Sequence, residues 1–174
     1  MAVTDQRLMG IVLTALRVLA VLNLVCLFAF VAVLASSFLA EGTIRQALLE
    51  TRPAEDPNAT LAAIRIVMAI GIAVVPLVHV LLDRLKAIVE TVRAGDPFVA
   101  TNADRLRVIA WCLLGIQLCD LCFGAVSLTL AAGTEAVSGW TFSLTGWLAV
   151  ALLFVLARVF AHGTRMRDEL EGTV

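Results

Sequence analysis

Charged residues make up only 16% of the 174-residue sequence, and they nearly cancel, leaving a formal net charge of -1. With so little excess of one sign, no basic patch is large enough to neutralise many phosphates, which argues against direct nucleic-acid binding by this chain. Cysteine occurs four times and histidine twice. Cys26, Cys112, Cys119 and Cys122 all fall inside apolar runs, where a thiol behaves as a small hydrophobe, so they do not form a disulfide framework. No Ser-His-Asp order, glycine-rich phosphate loop or paired-carboxylate motif is present, so neither a hydrolase nor a kinase is supported, and no catalytic or metal-binding set emerges. Internal repeats and low-complexity segments are lacking too. The first apolar run is too long for a cleavable signal and is followed by others, so the N-terminal helix is expected to stay.

What the chain does have is apolar residues, 61% of the total, far above the content of a soluble domain. Each membrane crossing takes roughly 20 residues, which leaves room for four. They fall at Val18 to Ala40, Leu61 to Leu82, Val108 to Leu130 and Phe142 to Phe160. Met1 to Arg17 reads as a helical lead-in lying at the interface, with Arg17 at the waterline. Glu41 to Thr60 reads as a loop in which Ile44, Ala47 and Leu48 allow a short interfacial helix, ended by Pro53, Pro57 and Asn58. Ala32 with Ser36, and Ala69 with Ala73, offer small-residue faces for close helix approach. Pro76 implies a kink in the second span. Trp111, Trp140 and Trp147 suit an aromatic belt, and Arg158 near the exit of the last span can reach back to the headgroups.

Between the second and third spans lies the densest charged segment, Asp83 to Arg107. Leu85, Ile88, Val89 and Val92 recur at helical spacing while Lys86, Glu90 and Arg93 take other positions, so an amphipathic helix continues out of the second span. Gly95 supplies a left-handed end, and Pro97 disfavours helix at Asp96. Thr101 is a good N-cap, with Asp104 three residues on as in a capping box. The segment is therefore helix, tight Gly-Asp-Pro-Phe turn, helix. Lysine and arginine collect on this side: Arg84, Lys86, Arg93, Arg105 and Arg107 in the segment, Arg165 and Arg167 in the tail 161–174, Arg7 and Arg17 before the first span. The opposite loops hold Arg45 and Arg52, with Arg65 just inside the membrane. By the positive-inside rule both termini and the central segment are cytoplasmic.

The intramembrane polar residues are Asn23, Arg65, Gln117 and Asp120. An ionised carboxylate at mid-bilayer is costly, so Asp120 either belongs to a proton or ligand site, with Gln117 one turn away and Asn23 or Arg65 arriving from other helices, or is a neutral acid bonding helices together. Cys119 and Cys122 have the spacing of a redox pair, but both outer loops lack the partner cysteines that such membrane oxidoreductases use. His79 and His162 lie at similar depth, as a pair of haem ligands would if they faced each other. Neither pattern is strong enough to assign a cofactor.

The AGDPF turn at Ala94 to Phe98, the run TNADRLRVIAW from Thr101 to Trp111 and the ending FVLARVFAHGTRMRDELEGTV from Phe154 to Val174 resemble the bacterial membrane family catalogued as domain of unknown function 2975. The cysteines and Asp120 lie outside the residues that carry the likeness. The resemblance implies four membrane helices, no established enzymatic activity, and a location in the bacterial cytoplasmic membrane. Members of that family are often encoded beside a very small Cro-like helix-turn-helix protein, which implies a DNA-binding partner on the cytoplasmic side.

The expected molecule is thus all-α, a polytopic membrane protein with four transmembrane helices in a bundle and cytoplasmic helical extensions. It is non-enzymatic, carries no cofactor, sits in a lipid bilayer, and leaves a homo-oligomer open. Its expected docking surface for the partner is Arg84, Lys86, Arg93, Asp96, Pro97, Phe98, Arg105, Arg107, Arg165 and Arg167. Mixed charge of this kind suits protein recognition better than anchoring to anionic lipid. The competing expectations are a redox or haem protein using Cys119 and Cys122 or His79 and His162, and a small-molecule sensor or carrier with Asp120 in a cavity.

Overall fold

The computed structural model describes residues 2–51, 56–96, 98–131 and 140–171. The described chain is all helix: α1 (Ala2–Leu39), α2 (Glu41–Thr51), α3 (Pro57–Arg93), α4 (Ala100–Ala131) and α5 (Leu144–Glu171). Four of them, all but α2, are long and apolar enough to cross a membrane. At 1.5 Å per residue, α1 and α3 each reach roughly 55 Å, well beyond the roughly 30 Å hydrocarbon layer. Both therefore continue into water as helix. The N-terminal residues expected as a separate interfacial lead-in are instead the first turns of α1, where Leu13 and Leu16 are buried. Among the described residues α1 packs on α3 and α2 alone, and α2 is at its other end, so it is α3 that covers them.

The ends of these helices follow from local chemistry. Asp56 caps α3, its carboxylate accepting from the Asn58 amide at 2.9 Å, and Pro57 takes the first helical position, where its missing N–H costs nothing. The proline expected to leave an irregular end before the second span thus starts its helix. α3 carries on through Pro76, whose ring faces outward. It closes in a Schellman motif: the Asp96 amide donates to the Thr91 carbonyl, the Gly95 amide to the Val92 carbonyl, and Gly95 adopts φ +88. α4 begins one residue before the expected cap, with Asn102 N–H donating to the Val99 carbonyl at 2.9 Å, so Thr101 lies inside the helix. Ser143 caps α5 by accepting from Gly146 N at 3.2 Å. Phe142 stacks on Trp147 across that cap as a hydrophobic staple.

The long helices pack in chain order, α1 on α3, α3 on α4 and α4 on α5, with α2 against the α1–α3 corner. Among the described residues α1 meets neither α4 nor α5, and α3 does not meet α5. The bundle is therefore an open row. Close approach occurs at glycine: a Cβ on Gly71 of α3 would lie 3.0 Å from the Phe30 ring of α1, and one on Gly115 of α4 would lie 3.0 Å from Leu77 of α3. One on Gly146 of α5 would collide with the Gln117 amide, and one on Gly124 of α4 with the Trp140 indole. The small-residue faces expected to do this, Ala32 with Ser36 and Ala69 with Ala73, are exposed. Alanine and serine are small on any face of an apolar helix, and only the packing of bulky neighbours selects which face is covered.

Candidate functional site at the hairpin end

Beyond the apolar runs, α3 and α4 form a helical hairpin stiffened by a polar network. Asn102 is 1% exposed. Its amide nitrogen donates to Thr91 Oγ1 at 2.8 Å, while its oxygen accepts from Arg105 Nη1 at 2.8 Å. The same Arg105 nitrogen reaches the Ala87 carbonyl of α3 at 3.2 Å, and Thr91 Oγ1 donates back to the Ile88 carbonyl at 2.7 Å. A buried amide satisfied on both sides fixes how α3 meets α4. Nothing in the spacing of Asn102 and Thr91 announced this role, since both read as ordinary polar residues near a turn.

The network redistributes the expected docking residues. Arg105 is half-buried and used inside the hairpin, so it belongs to the scaffold. Arg84 and Arg93 are exposed, and Lys86 and Asp96 are half-buried. Phe98 stacks on Phe160 of α5 at 5.5 Å, tying the turn to the last helix, yet stays 52% exposed. Arg107 is exposed and stands 3.4 Å from Asp104 in an i, i+3 pair. Arg107 and the exposed Arg165 line one cavity together with Arg158 and His162. Pro97 and the side chain of Arg167 fall outside the described residues.

The four intramembrane polar residues do not converge. Asn23 Nδ2 donates to the Val75 carbonyl of α3 at 2.9 Å, as a span-to-span tie. Arg65 turns to the far end of the molecule. There Nη2 donates to the Ser37 carbonyl and to Glu41 Oε2, both at 2.8 Å, Nε to Ser37 Oγ at 3.3 Å, and the guanidinium lies 4.0 Å over the Phe38 ring. This arginine satisfies the Ser37 carbonyl in the last turn of α1 and pins the first turn of α2. It also holds the Glu41 carboxyl below its ordinary value, by hydrogen bond and by charge. Gln117 is 7% exposed, and its amide nitrogen has no acceptor. Asp120 is half-buried one turn on, with neither an ion pair nor a hydrogen bond among the described residues.

The cysteines are free: Cys112 is buried, Cys119 half-buried, and Cys26 and Cys122 exposed on the outer surface of their helices. His79 on α3 and His162 on α5 belong to helices separated by α4, so they do not face each other as a ligand pair. Among the described residues, no three of histidine, cysteine, aspartate and glutamate come together to hold a metal.

Four long apolar helices, lined outside by exposed residues such as Phe28, Leu118 and Leu152, define a multi-pass membrane protein. More narrowly, the family model described as Protein of unknown function (DUF2975) matches residues 47–174, and the chain belongs to that family. The match takes in α3, α4 and α5, and with them the whole hairpin and the cavity, while α1 lies outside it. It also spans Cys112, Cys119, Cys122 and Asp120, which the quoted sequence likenesses alone had left out. No curated protein and no solved structure matches the chain.

Proposed function

We propose that this protein is a non-enzymatic membrane scaffold whose hairpin end docks a small cytoplasmic partner, a Cro-like helix-turn-helix regulator held at or released from the membrane. The observation that carries this reading is the combination of a rigid hairpin, fixed by the buried Asn102 network, with an exposed rim of Arg84, Arg93, Asp104 and Phe98. Rigid presentation lowers the ordering cost of association, and a mixed-charge rim sets register and partner choice. Lysine and arginine counts support the cytoplasmic side for this end. A photo-crosslinking residue at position 98, in the native host, is expected to trap one small DNA-binding protein, and Arg84→Glu with Arg93→Glu is expected to abolish the adduct. Absence of the adduct, or its persistence in the double variant, overturns the reading.

A second reading, a sensor with a ligand beside Asp120, is favoured by one observation: the buried Gln117 amide one turn away lacks an acceptor. It requires that Asp120→Asn abolish a measured ligand response in a protein that remains folded; an unchanged response removes it.

A further inference from the structure

At the hairpin end, Arg107 of α4 and Arg158, His162 and Arg165 of α5 line a cavity of about 660 Å³. The three α5 residues recur at i, i+4 and i+7, so they share one helix face and point the same way. Among the described residues the rest of the lining is apolar, including Phe154 and Val155, and no acid joins it. Arg158 and Arg165 have no ion pair among the described residues. The carboxylate beside Arg107, Asp104, is mostly in solvent, where such a pair is weak.

The depth of the cavity follows from its aromatic neighbours. Trp111, one turn further along α4 than Arg107, meets Phe154 edge-on at 5.2 Å and is 59% exposed. An exposed tryptophan on a membrane helix marks the boundary between hydrocarbon and headgroups. The arginines therefore sit at headgroup level, and the exposed Val155 and Leu148, seven residues apart, continue the same side of α5 toward the hydrocarbon. Guanidinium groups match phosphate oxygens bidentately, and three of them line this half-apolar hollow, which is acid-free among the described residues.

We propose that this cavity binds the phosphate of an anionic phospholipid, with the acyl chains lying along Leu148 and Val155. The site is distinct from protein docking, because it needs an amphiphile with a charged head and an apolar body. Basic hollows between membrane helices recognise anionic headgroups in this way.

The test uses delipidated full-length protein in neutral detergent, titrated with short-chain phosphatidylglycerol, short-chain phosphatidylcholine or inorganic phosphate, and read by native mass spectrometry. Phosphatidylglycerol is expected to bind at least about tenfold tighter than phosphatidylcholine, and Arg158→Gln with Arg165→Gln to erase that preference. Arg7→Gln with Arg17→Gln removes the same charge from the same end of the molecule but outside the cavity, and is expected to leave the preference intact. If the α5 double variant is not recovered folded, each single substitution is expected to weaken phosphatidylglycerol by about threefold. The proposal is overturned by equal affinity for the two lipids, by equal loss in both double variants, which marks diffuse attraction, or by inorganic phosphate binding as tightly as the lipid. No protein partner is present, so the outcome is separate from that of the docking experiment.

Discussion

At the α2 end, the Arg65 guanidinium is enclosed by a carbonyl, a hydroxyl, a carboxylate and an aromatic face. At the hairpin end, Arg158 and Arg165 open onto a cavity whose lining shows no carboxylate among the described residues, while Arg105 of the same end is bonded into the α3–α4 hairpin. One residue type thus does two jobs. Where the fold supplies acceptors, arginine closes a corner; where it withholds them, the charge stays exposed. The difference teaches that the count of positive charges at a membrane edge says which side an end faces, but not which charges remain available.

The largest expected effect falls on the closed class. Asn102→Leu leaves Arg105 with the longer bond to the Ala87 carbonyl and Thr91 Oγ1 without its donor, and is expected to cost about 3 kcal/mol, read by denaturant unfolding in bilayer discs. A cost near zero would mean that the hairpin is held by apolar packing alone, and the contrast between the ends would lose one side. Arg65→Ala is expected to cost about 2 kcal/mol, mainly through the unsatisfied Ser37 carbonyl, and Arg65→Lys to recover only part of it, since an ammonium cannot serve three acceptors in one plane.

A smaller effect concerns acid. The folded-state value of Glu41 is lowered from 4.5, so its contribution to the corner is complete above that value and is lost as pH falls through the lowered one. The α2 end is therefore expected to loosen on acidification in hydrogen exchange, with Glu41→Gln removing the dependence; exchange unaffected by pH in this range would show that the corner does not need the pair. The smallest effect sharpens the comparison from the other side. Arg158→Gln with Arg165→Gln is expected to change stability by no more than about 0.5 kcal/mol in a neutral bilayer. A larger loss would place these arginines among the structural ones.

Much of the fold was legible because membrane helices are set by local chemistry. Gly95 ends α3 as its lack of a Cβ allows, and Lys86, Glu90 and Arg93 continue the helix beyond the second span. The helix starts were less legible. Thr101 has the chemistry of a cap but lies one step inside α4, because Val99 already accepts the first turn's amide. The docking list was readable only as composition. That Arg105 is consumed by the hairpin, and that Arg158 and His162 join Arg107, depends on residues from two helices meeting, which single-helix periodicity does not encode. The small-residue pairs misled for the same reason.

By itself the sequence determined the solvent of this protein and the number of its long helices, because the transfer of an apolar run into hydrocarbon is decided residue by residue within that run. It also determined where α3 stops, because a left-handed turn is a property of the backbone at one glycine. Only the tertiary structure decided that the helices form an open row, that Asn102 is buried, and that Arg65 and Arg158 have opposite fates. Those outcomes rest on which faces meet across the row, and inside lipid helix faces are chosen by close packing and hydrogen bonds between partners, since apolar surface alone favours no neighbour over the bilayer.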